Sequence, residues 1–315
     1  MSKRCLYCYK ELDAEVDFHT SCSSRFFGSS EPPALDYTLD EMAELAKEVV
    51  QSSVTVPGVQ PKLSLGYIKD VLQDGGKERL TVMGALGGNY ILKPQNQTFP
   101  QMPENEHLTM RMAEIYGVSV VPFSLIRLKS GELSYITKRI DRTETGEKIH
   151  MLDMFQILEA FDKYKSSMEK IGKAVAEHSS HTLLELLRLF ELAIFSYITG
   201  NNDMHLKNFS LILNNEEWVL SPAYDLLNFQ LHLLEDTEEM ALTINGKKRK
   251  LTKSDFVHLG LKLQLTEKQI QNTFKRFISA EKKMKQEIKS SFLSPENEAK
   301  YIDLLGSRLS SFREE

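Results

Sequence analysis

The sequence predicts an α+β protein of two lobes: a small β-rich lobe over residues 37–140 and a larger helical lobe over 141–315, preceded by a short Cys-rich appendage over 1–36. Three observations predict it. Short β-type runs crowd the stretch from 54 to 140, helical periodicity takes over after 150, and all three cysteines fall within the first 22 residues. A length of 315 residues suits one large two-lobed domain or two ordinary ones. An apolar share of 41% beside a charged share of 26% sets aside collagenous, low-complexity and wholly disordered readings. The formal charge of −5 gives no global footprint for nucleic acid. No apolar run approaches the roughly eighteen residues of a membrane span, and Met1-Ser2-Lys3-Arg4-Cys5 lacks a signal peptide's apolar core. The expectation is a cytoplasmic protein with no membrane partner.

In the appendage, Cys5-x2-Cys8 and His19-x2-Cys22 offer four soft or borderline ligands in two close pairs, a usable Zn2+ set. Such a metal would staple a segment too small to bury its own core, a structural role because four protein ligands leave no open position. The competing reading is three reduced thiols, buried as small hydrophobes, and a surface histidine. An odd count in a reducing compartment argues against disulfides.

Thr38 with Glu41 makes a capping box for a helix carrying Leu39, Met42, Leu45, Ala46, Val49 and Val50. Strands are expected over 62–65, 80–83, 90–93, 123–128 and 133–138, the last two joined by a hairpin connection. One helix, 104–116, closes at Gly117, so the small lobe reads as an antiparallel sheet with a single helix. Helical segments follow near 151–161, 168–178 and 182–199; the third is rich in Leu and Phe nearly all round and reads as a buried central helix ended by Gly200. A strand pair over 209–213 and 218–220 comes next, then a hairpin at Asn245-Gly246, and closing helices opened by Thr266 with Gln269 and by Ser294-Pro295. Lys247-Lys248-Arg249-Lys250 reads as an exposed hairpin strand, with neutralisation by the acidic residues at 235–239 weighed against direct DNA contact.

The chemistry concentrates in Gly200-Asn201-Asn202-Asp203-Met204-His205-Leu206-Lys207-Asn208-Phe209, a polar loop between a buried helix and a strand. Asp203 and Asn208 stand at the spacing used by protein-kinase catalytic loops, and Asp225 follows in Ser221-Pro222-Ala223-Tyr224-Asp225. Phosphoryl transfer wants these residue types. Asp203 can orient a hydroxyl and take its proton, Asn208 and Asp225 supply the hard oxygens Mg2+ prefers, and Lys207 adds a point charge. In the small lobe, Lys93 ends an apolar strand, where a phosphate-contacting lysine would sit, and Glu106 can pair with it. Pro57-Gly58-Val59-Gln60-Pro61-Lys62 can offer backbone N–H groups and a charge to phosphate oxygens. Each piece alone reads equally as a turn, a strand end or a solvated charge; their order and spacing together favour the site.

These motifs, with Ile91-Leu92-Lys93-Pro94 and Glu104-Asn105-Glu106-His107, resemble the HipA-type serine/threonine kinase toxins of type II toxin–antitoxin systems over roughly residues 53–230. The resemblance implies a two-lobed kinase-like fold that binds ATP and Mg2+, with Asp203 as the catalytic aspartate and Asn208 and Asp225 as metal ligands. It implies nucleotide contacts from residues 57–62, Lys93, His205, Lys207 and Tyr224, and from Lys138-Arg139-Ile140 at the adenine hinge. Ser53 and Thr55 fall where the family's regulatory phosphorylation lies, and a phosphate there would repel ATP or eject the loop.

Only about fifty residues precede the phosphate loop, which resembles the family's short, HipT-like branch. That branch implies a HipB-like helix-turn-helix antitoxin and a separate small HipS-like subdomain protein as partners, DNA reached only through the antitoxin, and a protein substrate of the aminoacyl-tRNA synthetase class whose inactivation arrests translation. Two rivals stand beside this reading: a non-catalytic ATP-binding assembly subunit, and a small-molecule kinase.

Overall fold

The computed structural model describes residues 3–13, 15–52, 62–69, 78–83, 88–96, 98–232 and 237–313. They fall into two compact units: Met1–His107 with Val121–Lys148 and Ser290–Phe292, and Leu108–Val120 with Ile149–Lys289 and Leu293–Glu315. The expectation of mixed α+β structure holds.

In the first unit, α1 (Thr20–Phe27) ends at Gly28, whose φ of +85° is open to glycine at no steric cost. Helix α2 (Leu39–Ser52) opens on the expected capping box: the Thr38 N–H donates to Glu41 Oε2 at 2.7 Å, and the Glu41 N–H donates to Thr38 Oγ1 at 3.3 Å. Strands β1 (Leu63–Lys69), β2 (Glu78–Met83) and β3 (Tyr90–Lys93) precede α3 (Met102–Tyr116), whose residues from Leu108 onward belong to the second unit. Strands β4 (Phe123–Arg127) and β5 (Leu133–Lys138) complete an antiparallel sheet of order β2-β1-β3-β5-β4. β1 and β2 run further than their apolar cores suggested, because ladder pairing continues from Ser64 opposite Met83 to Lys69 opposite Glu78. The first 36 residues do not stand apart from this sheet. Leu6, Phe18, Phe26, Phe27 and Leu35 share one buried core with Tyr90, Leu92, Leu125 and Ile136.

The second unit differs from expectation at its start. Residues 151–161 are not one helix: β6 (Met151–Asp153) pairs with β7 (Ser210–Asn214), and the short helix α4 (Met154–Ile157) begins only where Asp153 and Gln156 close a capping box. Next come α5 (Met168–His178) and α6 (Thr182–Ile198), and β7 pairs in turn with β8 (Glu217–Leu220). α6 is buried from Leu186 nearly throughout, whereas Leu183 and Leu184 in its first turn are exposed. Helices α7 (Lys253–Lys262), α8 (Glu267–Ser279), α9 (Glu281–Lys289) and α10 (Pro295–Ser310) close the chain. Thr266 and Ser294 cap α8 and α10 as read from the sequence, and Thr252 with Asp255 closes a capping box at the start of α7.

The Asn245-Gly246 turn forms, but no strand flanks it. A single bridge joins Ile244 to Lys247, and the lysines turn to local acids, Lys247 Nζ to Asp255 at 2.9 Å and Lys248 Nζ to Glu238 at 3.2 Å. The exposed hairpin strand is thereby corrected: charge neutralisation decides the local structure.

Candidate active site

In the second unit, the buried end of α6 delivers the chain to Gly200. Its φ is +70°, and a Cβ there would lie 2.5 Å from Leu304 and 2.7 Å from Asn228 Oδ1, so conformation and space both demand glycine. The loop beyond is held by its own backbone. The Asn201 N–H donates to Ser196 O at 2.9 Å, His205 N–H to Asp203 O at 2.8 Å, and Asn208 N–H to His205 O at 2.9 Å. Asn208 adds its side chain, Nδ2 donating to Asp203 O at 3.2 Å, which leaves the amide oxygen for a cation. Asp203 and Asn208 are thus two ends of one pinned turn.

Asp225 follows the β7–β8 pair, and its neighbour Tyr224 is tied to the loop. The Ser221 N–H donates to Ser210 O, the Ala223 N–H to Ser119 O, and Tyr224 hydrogen-bonds twice: its hydroxyl donates to Lys207 O at 3.0 Å and accepts from Ser210 Oγ at 2.6 Å. Burial pushes the Tyr224 hydroxyl upward, so it remains a donor at neutral pH. Asp225 itself has a φ of +60°, an uncommon conformation for a residue with a Cβ and one that clusters at functional sites.

Tyr164 went unread in the sequence. Its hydroxyl donates to Asp203 Oδ1 at 2.7 Å, and burial followed by the Asp203 charge raises its pKa, which keeps the proton on the phenol. Beside it, Lys163 O accepts from the Leu206 N–H, and Lys163 Nζ lies 2.9 Å from His205 Nε2. An ammonium only donates, so Nε2 accepts and the imidazole proton sits on Nδ1. Lys207 lies 4.8 Å over the Phe155 ring, near Asp153, whose carboxyl burial raises. No local pattern marks Tyr164 or Lys163; they meet the loop only through contacts some forty residues apart in sequence.

The first unit holds the residues that the sequence reading expects at the nucleotide. Lys93 ends β3 opposite Tyr135, 5.4 Å over its ring, and Nζ pairs with Glu106 Oε1 at 2.6 Å; the side chains are 5% and 1% exposed. Lys138 ends the neighbouring β5 opposite Tyr90, with a pKa lowered by burial. Arg139 follows, clamped by Asp141 at 2.6 and 2.9 Å, and then half-buried Ile140. Lys62 is exposed immediately before β1. Pro57, Gly58, Val59, Gln60 and Pro61, with Ser53 and Thr55, lie outside the described residues. Cys5, Cys8, His19 and Cys22 come together in this unit, their ligand atoms all within 4.8 Å of one another.

Within the second unit, Asn208 and Asp225 carry oxygens of the kind Mg2+ takes. Within the first, Lys93, held in direction by Glu106, carries a fixed positive charge.

Comparison with known proteins shows the family and the fold. The HipA-like C-terminal domain matches residues 54–284. A Haemophilus influenzae protein named "Putative kinase" is 28% identical over 291 residues, covering 83% of this chain and 82% of its own length. A Sinorhizobium fredii protein named "Putative kinase Y4dM" is 32% identical over 282 residues, 84% of this chain and 64% of that protein. The Shewanella oneidensis serine/threonine-protein kinase toxin HipA is 26% identical over 216 residues, 62% of this chain and 47% of that protein. The solved structure of Shewanella HipA with HipB and operator DNA has a similar fold, at a TM-score of 0.64 and 19% identity over 85% of this chain and 70% of that one.

Proposed function

This chain belongs to the family with a HipA-like C-terminal domain, and from that premise we propose that it is an ATP-dependent serine/threonine protein kinase. The observation that carries the reading is the pinned Asp203–Asn208 turn, whose two ends are tied by the Asn208 amide. Asp203 receives the acceptor hydroxyl's proton and aligns its oxygen for attack on the γ-phosphate, while Tyr164 fixes the carboxylate from Oδ1. Asn208 and Asp225 would hold Mg2+, which when bound would supply charge neutralisation for the phosphate oxygens. Lys93 binds the nucleotide phosphates with the loop 57–62, Lys138, Arg139 and Ile140 meet the adenine, and His205, Lys207 and Tyr224 line the phosphate side.

The chain acts as a toxin: it phosphorylates a protein of the aminoacyl-tRNA synthetase class, halts translation in the cytoplasm, and restrains itself by autophosphorylation at Ser53 or Thr55. A HipB-like antitoxin and a HipS-like subdomain protein complete its complex, with DNA reached through the antitoxin. Support for the partners comes from the Shewanella HipA complex with HipB and DNA, and support for the activity from the relative named a serine/threonine kinase toxin. No helix among the described residues is long and apolar enough to cross a membrane.

The test is a bacterial translation extract given γ-labelled ATP and the protein. Labelling of one extract protein together with arrest of translation is expected, and neither with Asp203→Ala. Arrest of translation by Asp203→Ala overturns the reading.

A further inference from the structure

We propose that Cys5, Cys8, His19 and Cys22 bind one structural Zn2+ ion that fastens the first 27 residues to the sheet carrying Lys93. All four ligand atoms lie within 4.8 Å of one another, and two of the pairs stand at ligand spacing. A tetrahedral ion with bonds of about 2.3 Å to sulfur and about 2.0 Å to nitrogen separates its ligands by roughly 3.5–3.8 Å, and Cys8 Sγ and Cys22 Sγ lie 3.5 and 3.8 Å from His19 Nδ1.

The histidine is oriented for the task. His19 Nε2 lies 2.9 Å from the carbonyl oxygen of Glu11, which can only accept, so the proton sits on Nε2 and the Nδ1 lone pair faces the sulfurs.

The backbone is shaped around the same point. The Tyr9 N–H returns to Cys5 O at 3.0 Å with Tyr9 at a φ of +63°, closing a tight knuckle, while His19 caps α1 and so places Cys22 on the helix's first turn. Four protein ligands fill a tetrahedron and leave no position for substrate, so the ion is structural.

What the ion would fasten is visible in the packing. Phe26 lies 5.9 Å from the Tyr90 ring and beneath Lys138 Nζ at 5.7 Å, the Leu125 N–H donates to Leu6 O at 3.3 Å, and Arg127 pairs with Asp17 at 2.9 Å. Tyr90 begins the strand that Lys93 ends. The segment lies wholly before residue 54, where the matched family domain begins.

The test uses the full chain, purified without chelator. Elemental analysis is expected to give about one zinc per chain, and stripping it should lower the thermal midpoint, which added Zn2+ restores. Co2+ added to the stripped chain should show the intense visible bands of a tetrahedral thiolate site. His19→Cys, which keeps four ligands, should retain them in shifted form, and Cys8→Ser with Cys22→Ser should lose them. Native protein without zinc, a stripped chain without cobalt bands, or unchanged bands in the double serine variant would each overturn the proposal. The first two readouts need no variant, so a misfolded double mutant leaves the test intact.

Discussion

The two units hold their polar residues in place by different means. In the second, the turn that carries Asp203 and Asn208 is fixed by main-chain groups within one short stretch of chain, and Tyr164 holds the Asp203 carboxylate from outside it. In the first, Lys93 and Glu106 are fixed by each other, in surroundings almost closed to water. Backbone anchoring tolerates the loss of one side chain, because the turn remains when the carboxylate goes. A buried ion pair does not, because either partner left alone is an uncompensated charge.

The largest expected effect tests that contrast directly. Lys93→Met should destabilise the first unit by about 3–5 kcal/mol in urea unfolding, and Lys93→Met with Glu106→Leu should recover most of the loss. Asp203→Asn should leave stability within about 0.5 kcal/mol while removing transfer. A double variant no more stable than the single one would break the comparison.

Asp255 sharpens it, since the second unit also contains buried carboxylates held by partners, this one among them. Burial works against its ionisation, but hydrogen bonds from Lys247, Asn245 and Thr252 hold its pKa down to about 2. A carboxylate with a depressed folded pKa stabilises the fold above its unfolded value, near 4, and loses that contribution as the pH falls from about 4 to about 2. Asp255→Asn should therefore cost about 2 kcal/mol at neutral pH and flatten the acid limb of the stability curve over that window. An unchanged acid limb would show that the pair is not the source.

Tyr164→Phe should be smaller in stability and visible in catalysis. Loss of one hydrogen bond to a charged group predicts a fall in kcat of roughly 10- to 100-fold, with KM for ATP unchanged and the acid limb of the rate profile moved to higher pH. An unmoved pH profile would make the tyrosine a packing residue only. Lys248→Ala is the smallest change, about 0.5 kcal/mol or less, because its partner Glu238 is one-third exposed.

The same contrast explains what the sequence made legible. Asp203, Asn208 and Asp225 were readable because their geometry is set by a contiguous loop and one hairpin, and residue types at fixed spacing report such geometry. Lys93 and Glu106 were readable as a strand end and a helix start thirteen residues apart, although the sequence held nothing about their burial. Tyr164 and Lys163 were not readable: their partners lie about forty residues away and no periodicity links them. The helix expected at 151–161 failed because Met151 and Leu152 serve a sheet pairing with β7 that the local pattern cannot report. The first 36 residues looked like an appendage because their apolar residues are scattered, and only the fold gathers Phe18, Phe26 and Phe27 into the sheet's core.

The most direct test of the central claim is the intact mass of the phosphatase-treated protein after incubation with Mg2+-ATP, beside Asp203→Ala treated alike. The account predicts a gain of about one or two phosphates, mapped to Ser53 or Thr55, in the first protein and none in the second. Phosphate gained by the Asp203→Ala variant, or ATP bound by the native chain without any transfer, would contradict it.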